Sequence, residues 1–258
     1  MKKIAGIFLV LLAAGAHPAY CADPSPAAPV AESMWQARQS AGFEARISVT
    51  LVLPDGRRTS PMKLAVIGQF GVDRQRLLIR GISPDKVRNR YIAAERTADG
   101  RIRSIEYAEP GSEGTTQADP FANLFESGLV IWDMLGSWWT WPKQIAAGSG
   151  QAAGHDCTLV RSQSDAGIYP IREVLSCVDP DAKLALRTQL FDSRGALVRA
   201  ISVGQTMRKS SGAMAAKKLS ITGRDNSVTE VEVYGGDEHY DITADTYAKL
   251  ASLATADR

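Results

Sequence analysis

Phe43-Glu44-Ala45-Arg46-Ile47-Ser48-Val49-Thr50-Leu51-Val52-Leu53 is the stretch that decides the fold. Phe43, Ala45, Ile47, Val49, Leu51 and Leu53 fall on one side of an extended chain, and Glu44, Arg46, Ser48 and Thr50 on the other. Alternation sustained over this length predicts a strand with one buried and one wet face. Pro54-Asp55-Gly56 supplies turn chemistry, and Met62, Leu64, Val66 and Phe70 carry the alternation back, giving a long antiparallel hairpin.

The same pattern runs on in both directions. Upstream, a short helix is expected over 31–40, with Met34 and Trp35 on one side. Downstream, strands are expected at 75–82 and 90–95, and then through Ile102, Ile105 and Tyr107 after the turn Ala98-Asp99-Gly100. Residues 109–118, rich in Gly, Ser and Thr, read as an exposed loop. Asp119-Pro120 has the look of a helix N-cap followed by proline at the first helical position, opening a short helix with Phe121, Leu124 and Phe125 on one face. Beyond Pro142, strands are expected at 155–162, 171–178, 184–191, 197–203, 219–222 and 228–234, with turns at Asp179-Pro180-Asp181, Ser193-Arg194-Gly195 and Gly223-Arg224-Asp225-Asn226. A closing helix carries Tyr247 and Leu250. The total is ten or eleven antiparallel strands with few helices, and a sheet of that width curls, which leaves a concave face to be covered.

Between these strands lies Ser127-Gly128-Leu129-Val130-Ile131-Trp132-Asp133-Met134-Leu135-Gly136-Ser137-Trp138-Trp139-Thr140-Trp141-Pro142, with four of the five tryptophans inside ten residues. No strand face needs so much apolar bulk. On a helix, Trp132, Leu135, Trp138 and Trp139 fall three and four apart and share a face. With Trp141 they either roof an apolar pocket or fill it, because indole rings serve both purposes.

The first residues, Met1-Lys2-Lys3, an apolar run to Ala16 and Ala19-Tyr20-Cys21-Ala22, have the order of a secretory signal. The expected organisation is a signal peptide at 1–21, a disordered leader and short helix at 22–40, and a single domain at 41–258. Tyr20 does not suit the lipoprotein signature before Cys21, so ordinary cleavage after Cys21 and a periplasmic location are expected. The apolar run is too short to span a bilayer, for which about 20 residues are needed, and no other stretch of the mature chain approaches that length. The whole chain carries 30 Lys and Arg against 28 Asp and Glu. Without Lys2 and Lys3 the two balance, which leaves no basic footprint for nucleic acid. Cys157 and Cys177 remain as an even pair in an oxidising compartment, and a disulfide is expected between them.

A resemblance joins these elements. Phe121, Phe125-Glu126-Ser127-Gly128-Leu129, Trp132-Asp133, Trp141-Pro142, Gly154, Cys157, Tyr169-Pro170, the 184–191 strand, Asp192-Ser193-Arg194-Gly195-Ala196-Leu197, and the 228–233 strand followed by Ile242-Thr243 and a closing helix resemble the outer-membrane lipoprotein-sorting protein family. That family is related in fold to the periplasmic carrier LolA and its acceptor LolB. The resemblance spans about residues 40 to 253. It implies an open, unclosed antiparallel β-barrel whose apolar concave face is covered by helices, a pocket for lipid or lipoprotein acyl chains, no enzymatic activity and no cofactor. The sequence departs from the carrier in one respect: the carrier's buried arginine, which helps hold its lid closed, has no matching position here.

Under this reading the ligand-binding candidates are Trp132, Leu135, Trp138, Trp139 and Trp141. Asp133 and Glu126 lie beside the apolar surface without a second group at a spacing suited to acid–base work, which points to capping or solvent exposure. His155-Asp156-Cys157 holds its cysteine in the expected disulfide, so no nucleophile is left there. No Gly-x-Ser-x-Gly elbow, His-Glu-x-x-His helix or phosphate-cradling glycine loop occurs. With His155 and His239 the remaining histidines of the mature chain, no metal site is expected. The other reading from the sequence is an envelope protein-interaction module with a filled barrel, binding a partner protein through a strand edge or loop.

Overall fold

The computed structural model describes residues 27–117, 119–165, 169–246 and 248–249. A helix, α1 (Ala27–Arg38), leads into β1 (Ser40–Val52), β2 (Met62–Phe70), β3 (Gln75–Ser83), β4 (Tyr91–Arg96), β5 (Ile102–Tyr107) and β6 (Thr115–Gln117). After a connection containing the short helix α2 (Ile131–Leu135) come β7 (Lys143–Ala152), β8 (His155–Gln163), β9 (Ile171–Asp179), β10 (Leu184–Asp192), β11 (Leu197–Arg208), β12 (Met214–Gly223) and β13 (Val228–Asp237). These form one antiparallel sheet of 13 strands in the order β6-β5-β4-β3-β2-β1-β13-β12-β11-β10-β9-β8-β7. Each strand pairs with its sequence neighbour, and β13 returns to β1. The cycle is broken only between β6 and β7, so the barrel stays open along that seam.

Thirteen strands replace the ten or eleven expected, and the two additional ones are the two edges of the sheet. Thr115–Gln117 lies inside the stretch read as a loop. Lys143–Ala152 precedes the point at which the alternation becomes legible, and its register breaks between Ala146 and Ser149, where Gly148 adopts a φ of +95°. An edge strand has a neighbour on one side only and needs no strong alternation.

The alternation of β1 is realised as read: Ile47 and Val49 are buried on the concave face, packed with Leu64 and Val66 of β2, Leu77 and Ile79 of β3, and Val231 of β13. α1 lays Ala27, Ala31, Met34 and Trp35 on that face at i, i+4, i+7 and i+8, a single helical stripe. It starts before the expected helix, and Pro29 is accommodated in its first turn, where no intrahelical N–H bond is lost. Ala27 to Pro29 are therefore helical, not part of a leader. The signal peptide at 1–21 and the rest of the leader lie outside the described residues, as do Tyr247 and Leu250. No helix among the described residues is long and apolar enough to cross a membrane.

On the sheet's other face, Cys157 and Cys177 form the expected disulfide, with Cα atoms 5.3 Å apart, packed with Leu186. They join the neighbouring strands β8 and β9 across 20 residues of chain. Closing a loop of that size stabilises a fold by about 3 kcal/mol. Replacing both cysteines with serine is expected to lower the unfolding free energy by up to about that amount without loss of the sheet, measured by urea titration with far-UV circular dichroism.

Candidate functional site

The chain leaves β6 at one edge of the seam and returns as β7 at the other, and everything between crosses the concave face. Two expectations for this crossing are corrected. The segment after Asp119 is not a helix: Asp119 accepts the Phe121 N–H at 2.8 Å in a turn, and only a single 3-10 turn follows, at Leu124–Glu126. Phe125 and Glu126 have φ values of 50° and 60°, a left-handed bend that prevents helix propagation. Nor do the tryptophans share one helix. α2 ends at Leu135, Gly136 breaks it, and Trp138–Thr140 forms a separate 3-10 turn.

Gly136 is required by the packing, because a Cβ there would lie 2.7 Å from the Trp132 carbonyl oxygen and 2.9 Å from the Trp138 ring. The break folds Trp138 and Trp139 back over the core, with ring centroids 5.7 Å apart. Trp132, Leu135, Trp138 and Trp139 are all buried and belong to the main core, and Trp141 is half-buried against it. Trp132 is stacked on Phe121 at 5.0 Å and meets Tyr169 edge-on at 4.8 Å. The Tyr169 hydroxyl accepts the Ile102 N–H, so the loop before β9 is tied to β5 across the seam. Gln144 of β7 donates to the Trp138 and Trp141 carbonyls, at 2.9 Å each, and accepts from Ser162.

Two arginines hold the crossing segment, and neither was legible as a site residue. Arg38, in the last turn of α1, donates to the Gly136 carbonyl at 2.9 Å and to the Met134 carbonyl, with its guanidinium over the Phe70 ring. Burial, reinforced by the positive charge of Arg96, pulls its pKa down to about 10, which leaves it cationic at neutral pH. Arg199 of β11 grips Asp133 with two bonds of 2.5 Å and donates to the Gly128 carbonyl at 2.7 Å. Asp133 also accepts the Val130 N–H at 3.1 Å, so the expected capping is present while the expected solvent exposure is not: its side chain is 4 % exposed. Burial pushes the Asp133 carboxyl up, against the pull of Arg199 and the Val130 N–H. Glu126 is exposed and pairs with Lys86 at 3.0 Å.

The concave face is not filled uniformly. On β11 to β13, Ile201, Leu219 and Val233 are only half-buried. Val233 also borders a pocket of about 660 Å³ bounded by Phe43, Ala45, Met207 and Tyr234, with Glu44, Lys209, Lys217, Glu232, Asp237 and Glu238 also in its lining. A wider depression shares Phe43, Lys209 and Glu238 and reaches Arg38 and Phe70. Together they form a mouth at the end of the barrel beside the C-terminus of α1. Of the five residues expected to bind ligand, none lines this mouth; Trp132, Leu135 and Trp141 instead border a smaller cavity of about 180 Å³ at the seam. Among the described residues no cluster of His, Cys, Asp and Glu is arranged to hold a metal ion.

No family model and no curated protein matches the chain. Solved structures do share its fold. A DUF1329 family protein from Desulfovibrio piger superposes with a TM-score of 0.75 at 18% identity, over 88% of this chain and 97% of the other. An outer membrane lipoprotein-sorting protein domain from Vibrio parahaemolyticus gives 0.74 at 12% identity, over 86% and 96%. A LolA superfamily protein from Nitrosomonas europaea gives 0.65 at 11% identity, over 85% and 96%. At these identities the likeness establishes the open-barrel fold that the sequence resemblance implied.

The Asp133–Arg199 pair gives a quantitative expectation. Removing one member of a buried ion pair strands the other, at a cost of about 3–5 kcal/mol. Asp133→Ala and Arg199→Ala should each destabilise by about that much, and the double variant should cost far less than the two added together. Additive losses in chemical denaturation would show that the two side chains act independently.

Proposed function

We propose that this protein is a periplasmic, non-enzymatic carrier or sensor of a lipid-like ligand, with lipoprotein acyl chains the best-fitting class. The observation that carries this reading is the mouth: an apolar strip of β1 and β11–β13 left half-covered beside a pocket of about 660 Å³. That volume lies within the roughly 300–1,000 Å³ of small-molecule sites, and a concave apolar surface of this kind is unusual unless something occupies it. The fold shared with a lipoprotein-sorting domain and a LolA superfamily protein supports the same reading. The secretory order of the N-terminal sequence and a disulfide, a bond favoured by oxidising compartments, support the location.

In this reading the acyl chain enters at the mouth, and the tryptophan segment, which does not line the mouth, lies behind it where Arg38 bonds to its backbone. Trp132, Leu135, Trp138, Trp139 and Trp141 then act as a lid whose displacement would deepen the pocket. Arg38 would govern that displacement, since it borders the mouth and bonds to the carbonyls of the segment.

A second reading rests on β7. Its outer edge is unpaired, and in the ten residues Lys143–Ala152 there is one charge, little protection against the addition of a partner strand. On that reading the protein is an envelope interaction module.

The test is native mass spectrometry of the gently purified protein, followed by titration with palmitate and a diacylated lipopeptide. Co-purifying lipid and saturable binding are expected. Val233→Trp and Ala45→Trp, which fill the mouth, should weaken palmitate binding at least about 10-fold, a loss of about 1.4 kcal/mol. Unchanged affinity in both variants would remove the mouth as the site, and a protein that binds neither ligand would favour the β7 edge.

A further inference from the structure

The cavity of about 180 Å³ at the seam shares no lining residue with the mouth. It lies among the β4–β5 turn, the tryptophan segment and the residues that flank the start of β9. Its walls divide chemically. Ile102, Trp132, Leu135, Trp141 and Ile171 supply apolar surface, while Arg96, Ser137, Thr140 and Tyr169 supply N–H and O–H groups.

Arg96 is the anomaly. It is 6 % exposed, yet among the described residues its one side-chain hydrogen bond is to the Thr140 hydroxyl at 3.4 Å, with its guanidinium 5.7 Å from the centre of the Trp35 ring. A guanidinium has five N–H groups to place, and buried charges are as a rule paired. Among the described residues no carboxylate pairs with Arg96, and Arg38 adds a second positive charge close enough to be felt. Asp99 also borders the cavity and its charge is felt by Arg96, but no bond joins the two: Asp99 is bound to the Thr97 hydroxyl and the Arg101 N–H and guanidinium and its side chain is 58 % exposed.

Further donors are left over around the same space. The Ser137 hydroxyl and the Trp132 indole N–H belong to lining residues 3 % exposed, and neither has a partner among the described residues. Gln75, directly across the β3–β4 ladder from Arg96, is fully buried with both amide atoms unpaired. Tyr169 accepts from Ile102, which leaves its own proton to donate. Among the described residues, unpaired donors thus outnumber the one unpaired acceptor, Gln75 Oε1, around a space with a buried guanidinium on one side and an apolar wall opposite.

We propose that this cavity binds a carboxylate carried on a short apolar body, the carboxylate forked by Arg96 beside Thr140 and Tyr169 and the body lying against Trp132 and Trp141. A planar guanidinium matches a carboxylate with two parallel bonds. Since a water needs about 10–15 Å³ of cavity so measured, the space admits a body of roughly a dozen non-hydrogen atoms. The ligand comes either as a free short-chain acid or as the end of a longer fatty acid, and the site stands whether or not the mouth carries lipid.

The experiment titrates the mature chain with sodium octanoate, octanol, sodium palmitate and inorganic phosphate, reading tryptophan emission and calorimetry. Saturable octanoate binding is expected, with octanol at least about 10-fold weaker and phosphate unable to displace octanoate. Arg96→Gln should lower octanoate affinity at least about 10-fold and abolish the preference for acid over alcohol, and should do so equally in the Val233→Trp background, where the mouth is filled. Palmitate that competes with octanoate in the Val233→Trp protein identifies the fatty-acid end as a source; palmitate that does not leaves the short free acid. Equal affinity for octanol and octanoate overturns the proposal, as does octanoate binding lost in Val233→Trp but kept in Arg96→Gln, which would place the acid in the mouth. Should Arg96→Gln fail to fold, the acid–alcohol comparison on the unmodified protein and a Thr140→Ala variant, expected to bind octanoate more weakly, decide it.

Discussion

The unpaired seam between β6 and β7 is the constraint on which the rest of the structure depends. Thirteen strands in next-neighbour order could in principle close into a barrel, with all edges satisfied. Here the chain between the two edge strands has to cross the interior, and its bulk holds the edges apart. The sheet therefore has a concave apolar face that no second sheet covers, and α1 and the tryptophan segment must cover it instead. Aromatic side chains bury about 150–250 Å² each, so Trp132, Trp138 and Trp139 alone remove enough apolar surface for about 15 kcal/mol of transfer free energy at ~25 cal/mol per Å². That is as large as the whole net stability of an ordinary domain. The segment is a structural member of the barrel before it is anything else.

Apolar burial is not directional, and it does not explain why the segment takes this path. The polar contacts do. Gly136 breaks the helix and frees carbonyls at its end that need donors, and Arg38 supplies them from α1. Gln144 serves the carbonyls of the following 3-10 turn from β7. On the opposite wall Arg199 fixes Asp133 and the Gly128 carbonyl to β11, and Gly128 sits so close to β13 that a Cβ would fall 2.1 Å from the Thr229 hydroxyl. The segment is thus attached at several points around the barrel wall, each attachment a charged or amide donor meeting backbone or carboxylate oxygen. Several buried donors nearby remain unmatched, Arg38 Nε and the Trp132 and Trp138 indoles among them. The packing that fills this half of the barrel is therefore dense in rings and incomplete in hydrogen bonds.

How much of this was legible follows from which forces act locally. The strand face from Phe43 to Leu53 could be read directly, because period-two alternation is imposed by the sheet on each strand in turn. The disulfide was legible from cysteine count and compartment. β6 and β7 were not, since Thr115–Gln117 and Lys143–Ala152 line the seam and carry the weak patterns that edges permit. The tryptophans were visible as an excess, but their spacing suited a helix that Gly136 does not allow; the glycine was the available signal. Arg38 and Arg199 bond to residues 98 and 66 positions away, and no local pattern encodes a pairing at that separation. Only the basic residue at the end of α1 and the acid inside an apolar stretch hinted that Arg38 and Asp133 had partners.

The division of the interior follows from the same geometry. Rings that enter from the seam pack against α1, β4 and β8, and the segment before them is fastened to β11 and β13 by the Arg199 clasp, the Gly128 contact and the Thr229 hydroxyl, which donates to the Ser127 carbonyl at 3.4 Å. On the strands farthest from the seam Ile47, Val49, Ile221 and Val231 are buried while Phe43, Ala45 and Val233 are half-covered, and the mouth opens at these last three. Arg38 stands on the boundary: its guanidinium lies over Phe70, whose ring meets Phe43 edge-on at 5.1 Å, while its nitrogens hold the Met134 and Gly136 carbonyls. Phe43 and Phe70 both line the wider depression, so any shift of Phe70 reaches the backbone of the tryptophan segment through one side chain, Arg38. Whether the rings fill the barrel or roof it is then a matter of position: they fill the core beside the seam and border the small cavity there, and the mouth is lined by other residues.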